Sequence, residues 1–209
     1  MRDVFTEPVP DPNTLDQLGP LRPLAGVWTG RTGIDTHPVA TGGENNQYVE
    51  TIELQPIDAQ TNGPQLLYGL RYHTHIVKPG EVATFHDQVG YWLWEPATGS
   101  ILMTLAIPRG QVAMAIGKAH ADDTTFTVEA VRGSAVNGIV SNPFLDDAFR
   151  TERFTMTITV HQNGTWSYKQ DTVIHVVGTR APFHHTDRNI LTRIAAPTPN
   201  PLSPRRDHM

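Results

Sequence analysis

Histidine is the residue in this chain with the most chemistry to offer. The 209 residues include ten histidines and no cysteine, which excludes disulfides, thiolate metal sites and cysteine nucleophiles. Two placements stand out. In His73-Thr74-His75, a spacing of two on a strand sends both imidazoles to one face. Glu81, His86 and His120 follow as further candidate ligands for one divalent ion. In His184-His185, two imidazoles stand at the C-terminal edge of the apolar part of the chain. A neutral imidazole there could reach into a barrel mouth, and it is a common axial ligand of haem iron. Each placement also has a plainer reading: solvated strand histidines for the first, and rings capping backbone groups for the second.

The elements that position these residues read as strands. The runs QYVETIELQPID, QLLYGLRYHTHIV, ATFHDQVGYWLWEP, SILMTLAIP, QVAMAIGKAH and TTFTVEAV are rich in β-branched and aromatic residues. In FRTERFTMTITVHQ, Phe154, Met156, Ile158 and Val160 share one face, and in TWSYKQDTVIHVVG, Trp166, Tyr168, Gln170 and Thr172 do. Turn chemistry separates the runs at Gly63-Pro64, Pro79-Gly80, Thr98-Gly99, Asp122-Asp123 and Asn163-Gly164. The last pair predicts a two-residue hairpin turn with both residues at positive φ. Gly26-Val27-Trp28-Thr29-Gly30 predicts a first strand whose Trp plugs one end of a barrel. Leu15, Leu18 and Leu21 predict helical turns before Pro23. PFHHTDRNILTRI predicts a short closing helix, capped by Thr186 or Asp187, with Ile190, Leu191 and Ile194 as its apolar stripe. Residues 133–150 exceed a plain hairpin and predict a lid or an extra rim.

The fold expected is all-β: a closed antiparallel up-and-down barrel of about ten strands, with short helices near the ends. An extended arm over residues 1–13 precedes a ligand-binding barrel at 14–194, and a Pro-rich tail at 195–209 follows. The net charge of −5 disfavours nucleic acid as a partner. No apolar run approaches a membrane span. The N-terminus has no apolar signal segment, so the expected location is cytoplasmic and the expected partner is a small molecule in the barrel.

Four features together resemble the nitrobindin family of THAP4-like haem-binding β-barrels. They are LAGVWTGRTG, FHDQVGYWLW, ILMTLAIPRGQVAMAIGKA and the terminal HHTDRNILTRI, in order across residues 21–194. The resemblance implies a ten-stranded barrel holding ferric haem b through one proximal histidine near the C-terminus. It further implies reaction with nitric oxide and isomerisation of peroxynitrite to nitrate. Carried onto this sequence, the iron ligand is His185, with His184 as the competing choice, and Trp28 and Thr32 of the first motif are further cofactor-binding positions. The stretch Gly30-Arg31-Thr32-Gly33 is one residue longer than the family spacing. Counted back from Ile194, the family's ligand falls on or beside Thr186, one residue after His185. A homodimer stays open.

Two other functions compete. One is a haem-free barrel for an apolar molecule, in the manner of fatty-acid-binding proteins and lipocalins. The other is a metal enzyme resembling cupins, in which an HxH pair, a Glu and a later His bind the ion. Gly69 and Pro108-Arg109-Gly110 echo the cupin motifs. The spacings from Gly69 to His73, His75 to Glu81 and Gly110 to His120 do not, so His73 and His75 are expected not to form a tight metal pair.

Overall fold

The computed structural model describes residues 3–198. Its strands are β1 (Gly26–Val39), β2 (Gly42–Pro56), β3 (Gln60–Asn62), β4 (Gln65–Val77), β5 (Thr84–Glu95), β6 (Ser100–Ile107), β7 (Gln111–Lys118), β8 (Thr125–Val131), β9 (Ile139–Ser141), β10 (Phe149–Val160), β11 (Trp166–Val176) and β12 (Phe183–Ala195). All but the short β3 and β9 form the wall. Neighbours in sequence pair antiparallel, and closure comes from β1 pairing β12 and β2 pairing β4. The barrel is therefore up-and-down, and closing it removes the long exposed edges that a sheet of this size would otherwise present.

The alternation in sequence becomes the inner face. Phe154, Met156, Ile158, Trp166 and Tyr168 are all buried. Among the described residues no helix is long and apolar enough to cross a membrane. Helical turns do precede the barrel, as a 3-10 helix over Gly19–Leu24 with Pro23 inside it. It delivers Leu21 and Leu24 to the core, and Leu18 just before it is equally buried. Residues 133–150 form an extra rim: β9 pairs β7, and a helix α1 (Pro143–Ala148) follows, capped by the Asn142 side chain. Part of the N-terminal arm lies on the wall, where the Asp11 amide donates to the Tyr68 hydroxyl at 2.9 Å. Most of the tail expected at 195–209 lies outside the described residues.

Two local expectations are corrected. The closing helix is instead the strand β12, hydrogen-bonded to both β11 and β1. Its inner positions include Asn189 and Leu191, both buried, while Ile190 and Ile194 are 55% and 59% exposed. A helix here would leave β1 and β11 unpaired. The turn at Asn163-Gly164 is not of the type with two positive φ values. Only Gly164 is left-handed, at φ 80°, and the Asn163 side chain accepts from the Thr165 amide instead.

Trp28 plugs the end of the barrel nearest the 3-10 helix. It is 1% exposed, its indole N–H donates to Leu24 O at 2.8 Å, and Arg193 lies over its ring at 4.6 Å. Trp28→Phe keeps an aromatic body but loses the hydrogen bond and leaves a void. The expected cost is about 2 kcal/mol, read as a lower urea midpoint at unchanged m-value.

Candidate functional site

A cavity of about 340 Å³ opens inside the barrel. Its apolar wall includes Ile52, Ile76, Trp92, Met103, Met156 and Ile158, and its polar side carries Asp35, His37, His86, Arg109, His185 and Asp187.

A bulge sets which residues of β1 face inward. Gly30 pairs Glu50 and Gly33 pairs Tyr48, so β1 carries one extra residue over this stretch. The bulge falls within Gly30-Arg31-Thr32-Gly33. Before the bulge, Trp28 and Gly30 face in. After it the parity changes, and Gly33 and Asp35 are buried. Thr32 is exposed at the bulge, and Trp28 packs edge-on against Trp166 beneath the cavity. The two glycines have a packing role. A Cβ at Gly30 would overlap the Asn189 amide group, and one at Gly33 the Tyr48 ring.

Those two side chains belong to a buried polar network. Glu50 is 2% exposed. Its carboxylate accepts from the Tyr168 hydroxyl and from the Asn189 amide, each at 3.0 Å. The Tyr48 and Tyr168 hydroxyls are 2.7 Å apart. Burial pushes the Glu50 carboxyl up to about 7, against the lowering effect of the Asn189 and Tyr168 bonds.

On β12 the strand period separates the paired histidines. His185 turns in and lines the cavity. His184 turns out, with 60% of its side chain exposed and its Nδ1 2.8 Å from Asp171. Thr186 is outward as well. His185 Nε2 lies 2.7 Å from Asp35 Oδ1 and 3.5 Å from Asp187 Oδ2. His37 Nδ1 meets Asp35 Oδ2 at 2.5 Å. Burial raises the Asp35 carboxyl, but the bonds from His185 and His37 outweigh it and hold the group below its usual value. Burial lifts Asp187 to about 7, with the Asp35 charge adding to the rise and His185 opposing it. For His185, burial opposes the charged ring, yet the Asp35 bond and the two carboxylate charges raise it. Burial and the nearby Arg109 charge lower His86.

The HxH constellation does not assemble. His73 and His75 are on the outer face, bonded to Asp87 at 2.8 Å and to the Thr84 hydroxyl at 3.0 Å. His86 lines the cavity on the other side of the wall. Glu81 and His120 are exposed in turns.

Sequence reading did not single out Asp35, His37 or Glu50, and it took Asp187 for a helix cap and not a site residue. One signal was present. Asp35-Thr36-His37 and His185-Thr186-Asp187 are the same motif in opposite directions. It becomes meaningful once the terminal segment is a strand antiparallel to β1.

The model of a family described as the THAP4-like, heme-binding beta-barrel domain matches residues 17–193. Among solved structures, Rv2717c from M. tuberculosis superposes with a TM-score of 0.60 at 21% identity, covering 86% of this chain and 96% of that one. At this identity the likeness is one of fold. Comparison with curated proteins found no match.

Proposed function

This chain belongs to the family of THAP4-like, heme-binding β-barrel domains, and on that premise we propose that it binds haem b within its barrel through His185 and isomerises peroxynitrite to nitrate. The observation that supports this reading most is the inward ring of His185 on the wall of a largely apolar cavity. The residues present fit the group. The His185 imidazole would hold the iron, Ile52, Ile76, Met103 and Ile158 would give apolar contact, and Arg109 would offer a cation to an acidic substituent. The group would supply a metal centre able to react with a small ligand.

The chain's own groups do the rest. The apolar wall keeps water from the reacting centre. Arg109, whose guanidinium donates to Phe85 O at 2.7 Å, adds positive charge that attracts an anion such as peroxynitrite. Gln88 donates to the Tyr72 hydroxyl at 2.7 Å, which fixes two polar groups in the cavity wall. Burial and the Arg109 charge hold His86 below its usual value, which favours the neutral ring as a hydrogen-bond partner.

Haemin titration tests the reading. One equivalent is expected to give a Soret band shifted from free haemin, and the loaded protein is expected to increase the nitrate yield from peroxynitrite. Absence of a Soret shift would overturn the haem assignment. A colourless preparation carrying bound lipid would favour the apolar-ligand barrel instead.

A further inference from the structure

The proposed haem ligand, His185, is one side chain of a larger inward-facing group. β1 carries Asp-x-His and β12 carries His-x-Asp, on strands that run antiparallel. Asp35 pairs Asp187 across the ladder, and a spacing of two brings His37 and His185 to the same inner face. Two carboxylates and two imidazoles therefore form a square in the cavity wall. One ligand atom each from Asp35, His185 and Asp187 can be chosen so that all lie within 4.8 Å of one another. Nitrogen and oxygen donors sit about 2.0–2.2 Å from a zinc-sized ion, so donors on one ion are roughly 3–4 Å apart, and small side-chain shifts would close the group around it.

Electrostatics favours a cation here. Carboxylates directly opposed on neighbouring strands repel, and burial makes unpaired charge costly. A doubly charged ion would neutralise both at once, in place of the proton that the lifted Asp187 otherwise takes up beside Asp35. The Gln170 amide donates to Asp187 Oδ2 at 3.1 Å, an outer bond of the kind that orients metal ligands.

We propose that Asp35, His185 and Asp187, with His37 as the fourth donor, form a binding site for a divalent transition-metal ion of the zinc, iron or manganese class. The mixed imidazole and carboxylate donors match that class, whereas calcium and magnesium prefer oxygen alone. The site is independent of the haem reading and shares only His185 with it, so ion and haem exclude each other.

Cobalt(II) is the probe. Haem-free, full-length protein titrated with Co²⁺ is expected to saturate at one equivalent with visible d–d bands, which Zn²⁺ then bleaches. Asp35→Asn and Asp187→Asn each weaken binding by at least roughly tenfold. His184→Ala and the outer-face pair His73→Ala/His75→Ala leave it unchanged. Thermal melts check that each variant is folded, and a fixed excess of Zn²⁺ is expected to raise the Tm of wild type more than that of Asp187→Asn. The proposal fails if no one-equivalent binding occurs, or if binding follows His184, His73 and His75 rather than the two aspartates. Failure of haemin to bind leaves the Co²⁺ readout intact, so the two readings are judged separately.

Discussion

His185→Ala is expected to weaken haemin binding by roughly 100-fold, about 2.7 kcal/mol, and to remove the histidine-ligated spectrum. His184→Ala is expected to leave both nearly unchanged. The difference follows from the period of a strand. Neighbouring residues face opposite sides of the wall, so only one ring of the pair faces the cavity. His184 is held outside by Asp171, and bringing it in would require slipping β12 by one residue against two partners. The pH dependence adds a second check. Ligation needs a neutral imidazole. Asp35 and Asp187 raise His185 despite its burial, so protons compete with iron from above the free-histidine value of about 6.5. Affinity should therefore begin to fall above that pH as the solution is acidified. His86 also lines the cavity, but its value is lowered by burial and by Arg109. A fall that begins only well below 6.5, together with a haem spectrum that survives His185→Ala, would assign the iron to His86.

The barrel was legible because its evidence is local. Alternation along β10 and β11 marks the inner face, and Gly63, Gly80, Gly99 and Gly164 all take positive φ at their turns. The terminal segment misled because Ile190 and Ile194 stand four apart, a helical spacing, while both lie on the outer face of a strand. Barrel closure decides that segment, and closure is a contact between the two ends of the chain. The same distance hid most of the site. Asp35 and His185 are separated by 150 residues, and whether Asp35 faces in depends on a one-residue bulge upstream. A conspicuous histidine pair could be seen in sequence. The carboxylates that set its chemistry were marked there only by the reversed Asp-x-His and His-x-Asp motifs, because an aspartate in a strand is ordinarily solvated and only the pairing of β1 with β12 brings these two together on the inner face.

Raising the pH from about 5 to 8 is expected to destabilise the folded chain by roughly 3 kcal/mol through Glu50 alone, and Glu50→Gln should remove that share. The carboxyl is fully enclosed, and burial lifts it from 4.5 to about 7. Between those values the folded chain holds a proton that the unfolded chain has released. Stability from this group is therefore complete below 4.5, declines as pH rises through about 7, and is flat beyond. Asp187, also lifted to about 7, and the raised His185 slope the same way. Asp35, held low by His185 and His37 against its burial, contributes above the normal aspartate range and loses that contribution on acidification. In the Glu50→Gln variant the side-chain amide would keep an acceptor for the Tyr168 hydroxyl or the Asn189 amide without a charge to bury. Urea midpoints for wild type and Glu50→Gln between pH 5 and 8 read the difference directly. The wild-type curve should fall more steeply by about one proton's worth of slope, with the variant the more stable protein at pH 8. Parallel curves would mean that Glu50 takes up no proton on folding, and that the hydroxyl and amide around it stabilise its charge enough to offset complete burial.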